Sequence, residues 1–274
     1  MNLRGYLKML RVKEWIKFFI PIPLIGAILG DATPAVLILV GIIFFCVISY
    51  GFVINNYFDV DIDNRNTKKV MMGKNPLSAG KITKQGTFML MSVLLVIPIA
   101  LSCFLTRSGF LFTLVSIVFL TLYSVRYIRL KERFIVDILT HGMMFGLFPF
   151  LAGFTLAGDE LNMLTLLIAS LFMIIGSESL LTHQINDYNE DLGNSSTTVV
   201  RVGLKRGWAL LIVFVLLSMV ILELIAHCSD IEVMLHGGAF AYLIAYPLYS
   251  CRGEIKAVIN NYSVPAILIS FERR

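Results

Sequence analysis

Apolar residues run along this chain in long blocks, not at alternating or every-third positions. The blocks cover approximately residues 15–30, 34–55, 86–106, 109–126, 135–157, 163–184, 208–227, 231–250 and 256–271, with short polar segments between them. A helix that crosses a bilayer needs about 20 predominantly apolar residues. The pattern therefore predicts an all-α integral membrane protein, a bundle of nine (eight to nine) transmembrane helices. The ninth block is the weakest, being short and carrying Asn260, Asn261 and Pro265. Pro21 and Pro23 interrupt the first block. Spanning helices tolerate proline where neighbours satisfy the freed backbone groups, so a kink is expected there, not a loop. The 274 residues read as a single transmembrane domain.

Composition removes the soluble alternative. Hydrophobic residues make up 57% of the chain and charged residues 15%, whereas soluble domains carry about 25% charged residues. The basic residues also have a side. Of the 23 Lys and Arg residues, all but Arg107, Arg273 and Arg274 fall in the N-terminal segment or in loops after even-numbered blocks. By the positive-inside rule that face is cytoplasmic. The net charge of +5 then reflects anionic lipid headgroups, and nucleic acid is not an expected partner. Cys46, Cys103, Cys228 and Cys251 are too scattered for a zinc site or a disulfide framework. The basic, amphipathic N-terminal stretch reads as an interfacial anchor, with Trp15 at headgroup level, and not as a cleavable signal.

Two polar clusters close two of the blocks on the cytoplasmic face. The first is Asn55-Asn56-Tyr57-Phe58-Asp59-Val60-Asp61-Ile62-Asp63 and the second Asn186-Asp187-Tyr188-Asn189-Glu190-Asp191. Each places two carboxylates at i and i+4, which share a face on a helix. Asp59 with Asp63, and Asp187 with Asp191, would each form a two-carboxylate claw. Asn55 shares the first face; Asn56 and Asp61 lie on neighbouring faces, open to a second ion or to bound water. Mg²⁺ is usually held by one or two carboxylates together with substrate phosphates and water, so facing claws suit a metal-bound diphosphate. The motifs end the second and sixth blocks, four helices apart, as two related halves would give. The cytoplasmic loops of about residues 56–85 and 185–207 are long, and long loops in compact proteins commonly carry function. Glu178 and Glu223 sit deep in apolar blocks; the cost of a carboxylate in lipid turns them toward the interior.

With these motifs the sequence resembles the UbiA superfamily of intramembrane prenyltransferases. The first cluster is similar to the family's NDxxDxxxD motif and the second to its DxxxD motif. Lys74-Asn75-Pro76-Leu77-Ser78-Ala79-Gly80 follows the first, and Thr197-Thr198-Val199-Val200-Arg201-Val202-Gly203 follows the second, both like family tails. The family's YxxxK element looks like Tyr127 to Lys131, with Tyr123-Ser124 as an alternative register. One departure is Asn56, which stands where the family usually has aspartate.

The resemblance implies a bundle of helices around a central cavity and Mg²⁺-dependent transfer from a polyprenyl diphosphate to a small aromatic or lipid acceptor, with no protein partner inferred. Asp59, Asp63, Asp187 and Asp191 would carry catalysis. With Asn55, Asn56 and Asp61, these four would also hold metal. Lys74, Arg126, Tyr127, Lys131, Arg201, Asn186 and Tyr188 would bind substrate. Aromatic faces stabilise an allylic cation, and Tyr57, Phe148 and Tyr188 are the candidates; Met143, Met144 and His141 are further cavity residues. Three other readings stay open. The N-terminal Arg11-Val12-Lys13-Glu14-Trp15-Ile16-Lys17 and the His183-Gln184 pair resemble a branch that joins phosphoribosyl diphosphate to a polyprenyl phosphate. The same scaffold supports terpene cyclisation. An ion-coupled transporter would use the acidic claws differently, although transporters place their sites near the bilayer midplane.

Overall fold

The computed structural model describes residues 2–64, 75–158, 160–229 and 233–251. Its helices are α1 (Leu3–Met9), α2 (Val12–Phe19), α3 (Pro21–Leu29), α4 (Pro34–Phe58), α5 (Val60–Asp63), α6 (Lys84–Cys103) and α7 (Arg107–Ser124). They continue as α8 (Val136–Leu156), α9 (Met163–Asn186), α10 (Tyr188–Asp191), α11 (Thr198–Val202), α12 (Leu204–Cys228) and α13 (Val233–Ser250). Among the described residues six helices, α4, α6, α7, α8, α9 and α12, are long and apolar enough to cross a membrane. The molecule is an all-α, multi-pass membrane bundle. The expected ninth helix lies outside the described residues.

The helices begin where short polar side chains satisfy free amides. Thr83 accepts from the Gly86 amide and Thr106 from the Gly109 amide, each at 3.1 Å, and Asn162 accepts from the Thr165 amide at 2.9 Å. Such caps contribute about 1 kcal/mol each. The first block is a kinked pair: α2 ends at Phe19, Ile20 keeps right-handed helical angles, and α3 restarts at Pro21. The expected kink is therefore present.

Small residues let the helices approach closely, as membrane helices require when lipid offers no hydrophobic drive for association. A β-carbon on Gly26 would strike the Phe150 carbonyl of α8, and one on Gly153 would strike the Pro23 carbonyl of α3. Helix α8 is itself irregular. Residues Met143–Leu147 form a π-turn, in which the Phe148 amide reaches back to the Met143 carbonyl. Pro149 follows and has no amide to donate. Such π-turns are frequent at functional sites.

Trp15 departs from expectation. Its side chain is fully buried, donates from Nε1 to the Leu10 carbonyl at 2.6 Å and stacks on Phe52 with ring centroids 6.0 Å apart. The indole locks α2 against α4 because its N–H finds a partner inside the protein, which removes the need for a headgroup position.

Candidate active site

Both polar motifs break their helices at the first carboxylate, with the same backbone geometry. Asp59 ends α4 at φ −91°, ψ 0°, and Asp187 ends α9 at φ −89°, ψ 3°. A single helical turn follows each: the Asp63 amide donates to the Asp59 carbonyl at 2.8 Å, and the Asp191 amide to the Asp187 carbonyl at 2.9 Å. The i, i+4 pairing is kept, but on one-turn helices α5 and α10, not on a continuous long helix. A bridge-region residue at the hinge explains the difference, since those angles are outside the helical range.

The first cluster is closed by cations. Lys131 donates through Nζ to Asn55 Oδ1 at 2.7 Å and to Asp59 Oδ2 at 2.5 Å. Arg129 donates to Asp59 Oδ1 at 3.0 Å and pairs through Nε with Glu132 at 2.6 Å. Asp59 and Lys131 have side chains only 16% and 15% exposed, so solvent screens this pair weakly. Burial lowers the Lys131 pKa, opposed by the attraction of Asp59. For Arg129, burial is the largest influence and acts downward, but the bonds to Glu132 and Asp59 outweigh it and the pKa is raised. Arg129 itself lies in the left-handed region at φ 44°, which costs about 1–3 kcal/mol for a non-glycine residue and is typical of strained functional sites. Asn75 donates to Asp63 Oδ2 at 2.9 Å and to the Asn56 carbonyl at 2.8 Å, tying the loop to α5.

Several expected site residues point elsewhere. The Asn56 side chain is buried and turns back onto α1, its Nδ2 donating to the Met9 carbonyl at 3.5 Å. Asp61 faces solvent at 72% exposure, 3.9 Å from an equally open Arg126. Tyr127 is 92% exposed. In its place the alternative register contributes: Tyr123 and Ser124 line the cavity, and Ser124 reaches Asn55 Oδ1 at 3.5 Å. Arg201 is held by backbone carbonyls, those of Glu132 at 2.7 Å and Ser196 at 3.0 Å. Asn186 donates to the Ser250 carbonyl at 2.9 Å, and Tyr188 packs with Leu181 and Phe214 away from the cavity. Lys74 lies outside the described residues. Among the described residues no three His, Cys, Asp or Glu groups converge on one ion. Each claw therefore needs substrate oxygens or water to complete a coordination sphere.

A cavity of about 890 Å³ lies beside the first cluster, between α2, α4, α7, α8 and α9. Asn55 reaches into it. Its aromatic wall is Phe18, Phe19, Phe52, Tyr123 and Phe145; Phe19 and Phe145 stack with centroids 4.1 Å apart. Tyr57 pairs with Phe58 and Phe148 with Phe119, so the expected aromatic candidates serve packing. Of the two expected methionines, Met144 lines the cavity, as does His141. Arg11, Lys13 and Lys17 bring positive charge to the same wall, with Arg11 paired to Glu14 and placed 5.3 Å from the Phe52 ring centre.

Sequence reasoning missed a buried brace. Asp137 is fully buried and accepts from the Thr198 hydroxyl, the Thr198 amide at 2.9 Å, Gln184 Nε2 at 2.7 Å and the Ile138 amide at 2.9 Å. Gln184 Oε1 accepts in turn from the Val199 amide at 3.0 Å. The network fastens the start of α11 to α8 and α9, and it turns Gln184 toward Asp137 and Val199. Asn75 stood within the Lys74–Gly80 tail without a role, Arg129 in a plain polar segment and Asp137 at the start of the 135–157 apolar block, with no spacing signal to single out their side chains. Glu223 also turns outward, at 55% exposure, 3.1 Å from His236, whereas Glu178 is fully buried.

Comparison with known proteins gives this site a lineage. A digeranylgeranylglyceryl phosphate synthase of Methanocaldococcus jannaschii is 28% identical over 217 residues, covering 75% of this chain and 69% of the relative. Another protein of that name, from Sulfurisphaera tokodaii, is 25% identical over 212 residues, covering 76% and 73%. A solved UbiA homolog from Archaeoglobus fulgidus, bound to GPP and Mg²⁺, superposes with a TM-score of 0.77 at 18% identity, covering 98% of this chain and 97% of the other. The UbiA prenyltransferase family matches residues 19–257, and the chain belongs to that family.

Proposed function

We propose that the chain transfers a polyprenyl group, with Mg²⁺, from its diphosphate to a lipid-borne acceptor at the cytoplasmic face of the membrane. One observation carries this reading: an oxygen cradle of Asn55 and Asp59 that already holds a cation, the Lys131 ammonium, beside an aromatic-walled cavity. The cradle fits Mg²⁺ because its donors are hard oxygens. Asp63, Asp187 and Asp191 would complete the set with substrate phosphates. Bound there, Mg²⁺ would neutralise charge developing on the leaving diphosphate.

The chain's own groups supply the rest. Lys131 and Arg129 are placed to exchange Asp59 for diphosphate oxygens, a substitution of one anion for another at a prepared site. Phe19, Phe52 and Phe145 would hold the allylic end of the donor away from water and stabilise positive charge at its first carbon. Arg11, Lys13 and Lys17 favour an anionic acceptor headgroup, in keeping with relatives named as synthases of a lipid phosphate. The phosphoribosyl alternative loses support, because Gln184 is committed to Asp137 and Val199. We also take the fold as one domain of nine spanning helices in two related halves; the matched hinges at Asp59 and Asp187 argue for the duplication.

The test is incubation of the purified protein with Mg²⁺ and geranylgeranyl diphosphate. One set of reactions contains a phosphorylated isoprenyl glycerol ether, one an aromatic acid and one no acceptor. Diphosphate release together with a lipid mass gain of one prenyl group, dependent on the glycerol ether, is the expected result. Release from phosphoribosyl diphosphate and polyprenyl phosphate alone would replace the reading, and a hydrocarbon product without acceptor would make the protein a cyclase.

A further inference from the structure

His141 projects from α8 into the cavity wall and is not accounted for by metal or diphosphate binding. Its Nδ1 lies 3.0 Å from the Gly176 carbonyl of α9. A carbonyl only accepts, so Nδ1 carries the proton and the neutral ring presents Nε2 as a bare lone pair. Among the described residues Nε2 has no hydrogen-bond partner. The ring is gripped by the aromatic wall, with centroids 4.8 Å from Phe145 and 6.4 Å from Phe19. The π-turn that begins at Met143 immediately follows it, and Gly142 permits contact with the Met173 carbonyl. The ring is thus fixed in tautomer and orientation beside the aromatic pocket assigned to the allylic carbon.

Resting on the proposed transferase reading, we propose that His141 is the general base of the reaction and that the acceptor is an alcohol. The hydroxyl oxygen's lone pair forms the new bond to the first prenyl carbon. The bond from that carbon to diphosphate breaks, and its electron pair leaves with the diphosphate. The hydroxyl proton passes to Nε2, giving an imidazolium that returns the proton to water at the cytoplasmic mouth.

The other charged or titratable groups on this cavity are Arg11, Lys13, Glu14, Lys17, Tyr123 and His183. The four from the N-terminal segment are three cations and a carboxylate already paired with Arg11. Tyr123 is a donor at neutral pH. His183 stands one helical turn before Asp187, toward the diphosphate end of the site. His141 is therefore the neutral base nearest the aromatic wall.

His141→Asn isolates the role, because the asparagine amide keeps a donor for the Gly176 carbonyl and removes the basic nitrogen. The expected result is a fall of about 100-fold in kcat for alcohol transfer, within the range general bases supply, with the donor KM within twofold of wild type. The acid limb of the wild-type kcat profile should also disappear in the variant. A variant that transfers within threefold of wild type overturns the assignment and leaves the transferase reading intact. A variant that loses donor binding as well overturns it too, since the ring would then be a packing element. Wild-type protein that releases diphosphate with the aromatic acid but with no alcohol overturns the alcohol and base assignment while leaving polyprenyl transfer standing, whereas no release with any acceptor overturns both readings.

Discussion

Lys131→Met tests the central feature of the site, a cation held between the proposed metal ligands Asn55 and Asp59. Methionine keeps much of the aliphatic stem and removes the ammonium, leaving Asp59 with Arg129 as its remaining partner. Two opposite effects should follow. A charge-assisted hydrogen bond to substrate is worth about 1.5–3 kcal/mol, so loss of the diphosphate contact should lower kcat/KM roughly 10- to 150-fold. The same change frees Asn55 and Asp59 from a competing cation, so the Mg²⁺ concentration for half-maximal rate should drop about threefold to tenfold, the worth of roughly 1 kcal/mol. Initial rates of diphosphate release, measured over a grid of Mg²⁺ and donor concentrations in detergent, separate the two. An unchanged or raised Mg²⁺ requirement would refute the shared-cradle reasoning, and an unchanged kcat/KM would remove Lys131 from diphosphate binding. The pH profile adds a sign. Burial lowers the Lys131 pKa below the ordinary 10.5, so its proton is lost as pH rises through that lowered value. The wild-type kcat/KM should fall with rising pH on an alkaline limb below pH 10.5, and Lys131→Arg should flatten that limb, since arginine stays charged.

Asp59→Asn and Asp187→Asn should each abolish measurable turnover while the detergent-solubilised protein keeps its circular dichroism and elution volume; full activity in either would remove that claw from catalysis. Asp137→Asn should cost about 3 kcal/mol of stability, because one of its oxygens becomes a donor facing the Thr198 amide or Gln184; a thermal midpoint equal to wild type in a detergent melt would contradict the brace. Gly153→Leu should prevent assembly by driving a side chain into the Pro23 carbonyl of α3, read as loss of the monodisperse peak after extraction, and a normal peak would show that the helices separate without penalty.

The spanning helices were legible because hydropathy in a bilayer is a strong signal: unpaired backbone is so costly there that an apolar block has little choice but helix. The block expected at 135–157 is observed as Val136–Leu156, and that at 163–184 as Met163–Asn186. Asn55, Asp59 and Asp63 were legible because their spacing survives the break in the helix. Side-chain direction was not. Nothing in Arg126-Tyr127-Ile128-Arg129-Leu130-Lys131 tells which cations turn inward; the left-handed Arg129 decides it, sending Arg129 and Lys131 to Asp59 while Arg126 and Tyr127 face out. Nor does the sequence show that the Asn56 amide turns to Met9, forty-seven positions earlier.

The two claws begin from the same backbone geometry yet stand in different electrostatic states. Asp59 is half-buried and paired with Lys131 and Arg129, whereas Asp187 is exposed at the end of α9. In a ligand-free site this asymmetry gives an order to assembly. Were the two claws to hold Mg²⁺ as proposed, the exposed Asp187 would be the more accessible carboxylate, and Asp59 would be freed when diphosphate oxygens draw Lys131 and Arg129 away from it. Metal at the first claw and donor would then be thermodynamically coupled, each strengthening the other's binding by the same factor. In the structure the largely enclosed Asp59 charge, costly if left alone, is paired with both Lys131 and Arg129.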